Sequence, residues 1–395
     1  MFHPKYYACL KLAVAILFIT AQLPCKAASP KVRFAYDVDF ELNFDNREFY
    51  RSNFSESMTI FGARLTPSIG IDLRSKDGTS HRIMAGIDIM KNFGQSPVRT
   101  SIAGADSDEA ASRKDNLDLF REITIRYRLE KSFGKTSMTL DAGIFPRHFM
   151  EGSYSTAFFS DSLRFYDNNI EGILLKFKLP RARYEIGCDW MGMIERSRRE
   201  RFMIFLSGEG SVTKWLSLGY AGYMYHFANS EQVRGVVDNI LLNPYLEADF
   251  ACMTPLQSLA IRAGWLQAAQ NDRMNIGKYT FPHGFEICTD IRKWNAGIRN
   301  TFFCGTDMMP YYNRTDAGGL KYGNILYLGD PFYRVHDDGS NGWGIYDRLE
   351  AYYEPKIGKF LSIRVSALFH FNRGYSGCQQ IVGLHFNLEE LLRKH

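Results

Sequence analysis

The sequence lacks the features on which helical membrane proteins and nucleic-acid-binding proteins depend. Mean hydropathy is −0.25, and beyond the N-terminus no apolar run approaches the ~18 residues of a transmembrane helix. The 48 basic and 43 acidic residues nearly balance, giving a net charge of +5 without a dense Lys/Arg tract. These absences argue against a helical membrane protein and against a nucleic-acid partner.

Cysteine and the common catalytic motifs are also scarce. Five of the seven cysteines follow residue 27, an odd number without metal-type spacing such as C-x-x-C. A disulfide between Cys304 and Cys378 is left open. There is no G-x-S-x-G elbow and no P-loop. Four histidines fall in no recognisable catalytic constellation: His148, His283, His336 and His370. We therefore expect no enzyme activity and no cofactor.

The N-terminus has the layout of a secretory signal. Lys5 and Lys11 supply positive charge, residues 12–23 form an apolar core, and residues 25–27 make a small-x-small cleavage site. We predict that residues 1–27 are a cleaved signal peptide, that residues 28–388 form one domain, and that residues 389–395 are a short polar tail.

The chain is rich in aromatic residues and in two-residue alternation. It contains 30 Phe, 22 Tyr and 5 Trp, which suits lipid-facing strands and interfacial girdles better than a soluble core. Between residues 33 and 44, apolar side chains occupy one parity and polar ones the other, with only Ala35 neutral. Successive side chains on a strand point to opposite faces, so this segment predicts a strand with one apolar and one wet face. Its length of about 11 or 12 residues is enough to cross a bilayer at a tilt.

About sixteen segments repeat this pattern, a count that holds to within about two. The connections between them alternate between two classes of length. Every second connection is short, and all the long ones, such as 91–118, 146–168 and 304–344, fall between them. Outer-membrane barrels have short periplasmic turns and long extracellular loops, whereas a β-sandwich has no reason to sort its connections in this way. The sequence therefore predicts an all-β fold, a single antiparallel transmembrane β-barrel of about 16 strands.

Together, the signal peptide, the amphipathic strands and the rim asymmetry resemble the porins of Gram-negative outer membranes. The resemblance covers nearly the whole mature chain and is architectural, without the motif of one subfamily. The chain also departs from the usual pattern, because residues 389–395 follow the final strand where such proteins usually end on an aromatic residue. The resemblance implies an outer-membrane location, contact with outer-membrane lipid and with the assembly machinery, passive diffusion of small hydrophilic solutes such as ions and sugars, and a homotrimer.

The wet face of the strands supplies the residues predicted to line a pore. A barrel of about sixteen strands encloses an aqueous channel, and an Arg or Lys facing lipid at mid-depth costs about 2–4 kcal/mol. Most of these charges are expected to hydrate the wall and pair across strands, although Arg262, Arg299, Arg348 and Arg364 make a candidate basic ladder. The predicted lining residues are Arg64, Arg126, Arg128, Lys176, Arg262, Arg299, Arg348, Arg364, Asp37, Asp39 and Glu247.

The connection 146–168 is the candidate constriction loop. In general porins the third long loop folds into the barrel, and the same placement is expected here; the alternative is a surface loop resting on the rim. Its predicted constriction residues are Glu151, Tyr154, Asp161, Arg164 and Tyr166. Together with the basic ladder, such a loop predicts weak anion preference or none.

Two other interpretations of the barrel stay open. One is a barrel with a plugged lumen and a structural, adhesive or secretion-associated role. The other, less favoured, is an outer-membrane enzyme, which needs Ser, His and a polar group, or Asp and His, converging on one rim. Liposome swelling with graded sugars separates an open pore from a plugged barrel.

Overall fold

The computed structural model describes residues 31–51, 57–94, 120–336, 342–372 and 375–388, so the predicted signal peptide and the polar tail lie outside the described residues. These ranges are mostly β-strand. The sixteen strands of the wall are β1 (Lys31–Tyr50), β2 (Met58–Arg74), β3 (Ser80–Asn92), β4 (Phe120–Phe133), β5 (Thr136–Pro146), β6 (Asn169–Lys178), β7 (Ala182–Gly192), β8 (Arg201–Ser211), β9 (Leu216–Phe227), β10 (Val237–Asp249), β11 (Ser258–Asp272), β12 (His283–Lys293), β13 (Ala296–Gly305), β14 (Gly344–Tyr353), β16 (Leu361–Asn372) and β17 (Tyr375–Asn387), with the two-residue β15 (Lys356–Ile357) in the turn between β14 and β16.

These strands form one closed antiparallel barrel. Each wall strand pairs with its neighbours along the chain, and β1 pairs with both β2 and β17, which closes the sheet. A closed barrel leaves no unpaired strand edge. The predicted fold class and strand number are therefore confirmed, and β1 is longer than the predicted segment because its pairing continues from Phe44 to Tyr50.

The two faces of the wall differ as the alternation predicts. On β1 the outward Phe34 is 70% exposed, whereas the inward Asp37 is 6% exposed. The outward Ile125 on β4 and Ile298 on β13 are likewise exposed. The aromatic and aliphatic stripes thus cover the outside of the barrel instead of meeting in a sandwich core. Within the described ranges, no helix combines the length and the apolar character needed to span a membrane.

Two connections at the rim with the long loops fold into the barrel. The first, residues 147–168, contains helix α1 (Asp161–Tyr166), and the second, residues 306–336, contains the short helix α2 (Gly323–Leu326). The first segment makes hydrogen bonds to β1, β2, β7, β12 and β14, which stand around the whole wall. Contacts with strands on every side place this segment inside the lumen.

The cysteines do not form the disulfide that the sequence left open. Cys304 on β13 and Cys378 on β17 are both free. The wall runs from β13 through β14 and β16 to β17, so the two residues are three strand spacings, about 14 Å, apart. A disulfide requires Cα atoms within about 7 Å.

Candidate functional site

Helix α1 is fixed in the lumen by arginines from three wall strands. Arg47 on β1 donates to Ser162 Oγ at 2.7 Å, and Arg348 on β14 donates to Asp161 Oδ2 at 2.7 Å. Arg64 on β2 donates to the carbonyl of Phe165. Because β14, β16, β17, β1 and β2 are successive strands, these bonds hold α1 against one continuous part of the wall.

The two ends of the infolded segment 147–168 are joined at its base. Arg147 N donates to Asn168 O at 2.5 Å, and the buried Arg147 guanidinium donates to Asp189 Oδ2 at 2.9 Å and to the carbonyl of Asp167 at 3.0 Å. Burial alone would lower the pKa of Arg147, but the carboxylates of Asp189 and Asp167 raise it above its ordinary value. A permanently charged guanidinium therefore closes the loop at the point where it leaves β5.

The second infolded segment, 306–336, is bound to the first through backbone contacts. Ser160 N donates to Leu328 O at 2.9 Å, and Asp330 N donates to Thr156 O at 2.8 Å. Between these bonds, a Cβ atom on Gly329 would lie 2.0 Å from Ala157 O, so only glycine permits the approach. The two segments consequently form one body inside the barrel, which we term the plug.

One side of the plug packs tightly against the wall. Tyr333 donates to Glu286 Oε1 on β12 at 2.5 Å, and Ser155 donates to the same oxygen at 2.6 Å. Aromatic and aliphatic side chains fill the space around this contact: Phe158, Phe159, Phe205, Tyr223, Tyr225, Phe227, Leu241, Leu266, Phe303, Leu326, Tyr327, Phe332 and Tyr346. On this side, between β8 and β14, the lumen is a dry core.

The other side of the plug remains accessible to solvent. Asp161 is 54% exposed although it bonds to Arg348, and Arg164 and His148 of the same infolded segment are also exposed. The His148 ring lies 5.9 Å from the ring of His385 on β17, which places this exposed surface inside the barrel. Partial desolvation inside the barrel acts to raise the pKa of Asp161, but the charges of Arg348 and Arg164 hold that pKa below its ordinary value. The plug therefore divides the lumen into a dry side and a wet side.

The predicted lining residues face the lumen, and every basic one has an acidic partner. This pairing removes much of the positive field that a bare arginine ladder would create. The pairs are Arg64–Asp88 at 2.6 Å, Arg126–Asp37 at 3.6 Å, Arg128–Asp141 at 2.6 Å, Lys176–Glu151 at 3.0 Å, Arg262–Glu247 through Nε at 2.7 Å, Arg299–Asp290 at 3.5 Å, Arg348–Asp161 at 2.7 Å and Arg364–Glu350 at 2.7 Å. The remaining predicted residue, Asp39, accepts from Asn387 at 2.7 Å and contacts His385 at 3.1 Å.

The predicted constriction residues separate into two groups. Tyr154 donates to Glu185 Oε1 at 2.8 Å, and the backbone N–H of Glu151 donates to Glu185 Oε2 at 2.8 Å, both on the β7 side. Asp161 and Arg164 lie on the wet side, and Tyr166 packs edge-on against Phe165 at 5.1 Å. The arginine-bound α1 thus brings Asp161 to the basic ladder, whereas Glu151 and Tyr154 secure the opposite part of the loop.

A hydrogen-bonded chain beside α1 was not anticipated from the sequence. The Tyr346 hydroxyl contacts His370 Nδ1 at 2.8 Å, and His370 Nε2 contacts Gln379 Oε1 at 2.7 Å. Gln379 then donates to Asp45 Oδ1 at 3.0 Å, and Arg47 donates to Asp45 Oδ2 at 2.7 Å. This chain connects four strands, and its last member is one of the arginines that hold α1.

A polar cluster also lies on the outside of the barrel, near the rim with the long connections. His226 on β9 and Asp238 on β10 are direct cross-strand neighbours, and both share the outward parity of the exposed Met224 and Leu242. Arg273 donates to both carboxylate oxygens of Asp238, at 2.6 and 2.8 Å, and Tyr279 donates to one of them at 3.1 Å. The alternation alone assigns this parity to lipid, so sequence reasoning missed the cluster.

Comparison with known proteins gives one family and a set of similar folds. The sequence model of the lipid A 3'-O-deacylase-type family matches residues 29–312. No curated protein matches the chain. Among solved structures, it is similar to a loop-deletion mutant of OmpT, an outer membrane protein of Vibrio cholerae, with 8% identity, TM-score 0.50, and coverage of 90% of this chain and 99% of that one. Pseudomonas aeruginosa OprD shows 10% identity, TM-score 0.46, and coverage of 90% and 95%.

The family match overturns the expectation that the chain is not an enzyme, because the family is named for an ester-cleaving activity. The expectation was wrong because it relied on local motifs such as a nucleophile elbow. In a barrel, chemistry-bearing side chains come from separate strands and meet only through the cross-strand register, as His226 and Asp238 do.

Proposed function

Because the chain belongs to the lipid A 3'-O-deacylase-type family, we propose that it is an outer-membrane hydrolase that cleaves an O-acyl ester of a lipid A-like glycolipid. Such an ester lies at the polar boundary of the outer leaflet, so the groups that act on it must face outward near the extracellular rim. The observation that carries the proposal is the outward cluster of His226, Asp238, Arg273 and Tyr279 on that rim.

The proposed chemistry is hydrolysis assisted by a general base. His226 accepts a proton from the water that attacks the ester carbonyl carbon, and the bond from that carbon to the sugar oxygen breaks. The sugar oxygen takes up the proton, so the products are a fatty acid and a free hydroxyl. Arg273, whose side chain is 55% exposed while it binds Asp238, supplies a positive charge for the developing oxyanion or for a substrate phosphate.

The test is fatty-acid release by the full-length protein reconstituted with lipopolysaccharide. We expect His226→Asn to lower the rate by about 100-fold or more, as the loss of a general base does. His81→Asn is the matched control, because His81 faces outward at the opposite rim and its Nδ1 contacts Tyr127 at 2.8 Å. A wild-type protein without release, or a His226→Asn variant with full release, would contradict the proposal.

A second candidate function is passive diffusion of small hydrophilic solutes such as ions and sugars. The observation that favours it is the wet side of the lumen, where the half-exposed Asp161 faces arginines of the wall. Because the predicted lining cations are ion-paired, such a passage would have little charge selectivity. Planar-bilayer recordings test this function. A stable conductance with a reversal potential near zero in asymmetric salt would support it, whereas a protein without conductance would indicate a plugged barrel.

A further inference from the structure

The outer wall carries an apolar furrow across strands β9 to β12. Its volume is about 490 Å³. The floor is formed at Pro244 and Ala263, whose side chains are small, and larger outward side chains border it: Leu218, Leu246, Trp265 and Phe285. The furrow therefore lies on the lipid-facing surface and is separate from the lumen.

Local sequence explains why the wall is recessed here. Pro244 lacks a backbone N–H and does not pair across to β11, where the register is interrupted after Leu242 and resumes at Tyr245. Ala263 on β11 is the direct partner of Leu246, two residues beyond Pro244 on β10, and projects only a methyl group. Outward positions such as Ile298 and Ile345 carry bulkier side chains. The proline and the small side chain diagonally across from it leave a trough between larger neighbours.

The furrow lies on the same strands as the polar cluster. Pro244 is six residues from Asp238 along β10, which is about 20 Å at the rise of a strand. At the usual tilt of a barrel strand this corresponds to a depth of about 15 Å, half of a hydrocarbon core about 30 Å thick. An acyl chain that starts at the polar cluster and follows the tilt of β10 would therefore end in the furrow.

The charge of the rim above the furrow indicates the headgroup. The two outer connections that join strands β9 to β12, 228–236 and 273–282, carry three basic residues and one acidic one. Arg234, Arg273 and Lys278 among them are exposed. An excess of positive charge directly above an apolar trough complements an anionic headgroup with an attached hydrocarbon chain.

We propose that the furrow binds one saturated acyl chain of an anionic outer-leaflet glycolipid, with its headgroup at Arg273 and its methyl end at Ala263. The proposal rests on the proposed hydrolase function in that the bound chain would belong to the substrate, so the furrow would set the preferred chain length. A concave surface is not complementary to itself, which disfavours a two-fold contact between two copies at the furrow.

The test uses photo-cross-linking in vesicles that contain the full-length protein. The probe is an anionic glucosamine-phosphate lipid with ether-linked saturated chains and a diazirine at one chain end. Since ethers are not hydrolysed, labelling reports binding alone. We expect labelled peptides from β9 to β12 and not from β2 to β5. A phosphatidylcholine probe with the same chain should label the furrow less, because it lacks net negative charge.

Ala263→Leu is the variant that fills the furrow, and Ala85→Leu is its matched control, because Ala85 is an exposed outward residue on β3. We expect labelling of β9 to β12 to fall at least about fivefold in Ala263→Leu, as a loss of about 1 kcal/mol gives, and to be unchanged in Ala85→Leu. In the hydrolysis assay, Ala263→Leu should shift the preference toward shorter chains.

Three results would overturn the furrow proposal. They are uniform labelling around the barrel, labelling of β9 to β12 that is unchanged in Ala263→Leu, and cross-links between two copies of the chain. Localised labelling without any hydrolysis would overturn the proposed function but support the furrow as a lipid-binding site. Hydrolysis without localised labelling would overturn the furrow proposal and support the proposed function.

Discussion

Arg348 on β14 and Asp161 on α1 form an ion pair 2.7 Å long across 187 residues of sequence. Arg348 is 5% exposed and Asp161 is 54% exposed, so the pair joins the wall to the wet side of the plug. It is one of three arginine contacts that hold α1 against the wall.

Loss of the Arg348 charge should loosen helix α1. In Arg348→Met the apolar stem is kept and the charged hydrogen bond is lost, which costs about 1.5 kcal/mol. We expect amide hydrogen exchange in residues 163–167 to accelerate about tenfold, measured by mass spectrometry. Arg262→Met is the control, because Arg262 pairs with Glu247 between two wall strands. Equal acceleration in both variants would show that the effect is general.

The close contact of Gly329 with Ala157 should hold the two plug segments together. In Gly329→Ala the added methyl would lie 2.0 Å from the Ala157 carbonyl oxygen. A backbone carbonyl cannot move aside by a change of rotamer as a side chain can, so the two segments must separate. We expect faster exchange at Ser160 and Asp330, whose N–H groups bond across the segments. Gly210→Ala on β8 is the control, since its nearest atom would be 3.8 Å away. Unchanged exchange at Ser160 would disprove the contact.

The depressed pKa of Asp161 predicts a dependence on pH with a definite sign. Because its pKa is lower in the folded protein than in the unfolded chain, the ion pair contributes stability fully above the unfolded value of about 3.9. That contribution is lost as the pH falls through the lower folded value. We expect exchange in α1, corrected for its intrinsic rate, to be constant above about pH 5 and to rise only in acid. Asp161→Asn should show no such rise.

The fold was predictable because a barrel in lipid imposes one rule on every strand. Residues 33–44 alternate with only Ala35 neutral, since Phe34 must face outward and Asp37 inward. The same alternation rule placed the predicted end of β1 too early, at Phe44. Beyond Phe44 the outward side chains, such as Asn46, are polar because the strand rises above the apolar band. Pairing continues there, but the pattern that reveals it has stopped.

The site was less predictable, for two physical reasons. Sequence parity shows that Arg348 faces inward but not that Asp161 will meet it, because the path of an infolded loop depends on packing around the whole wall. Parity also assigned His226 and Asp238 to lipid, although near the rim an outward residue contacts headgroups and water. Cross-strand register decides which of these residues meet, and no local motif encodes it.

The central claim is that the apolar parity of the wall faces acyl chains while the polar parity faces a lumen that the plug divides. Spin labels placed singly at Ile123, Thr124, Ile125 and Arg126 of β4 in vesicles test it most directly, through relaxation by oxygen and by a water-soluble nickel complex. We expect strong oxygen relaxation at Ile123 and Ile125, whose side chains are 59% and 60% exposed, and weak oxygen relaxation at Thr124 and Arg126. Equal oxygen relaxation at all four positions, or stronger oxygen relaxation at Thr124 and Arg126 than at Ile123 and Ile125, would contradict the claim.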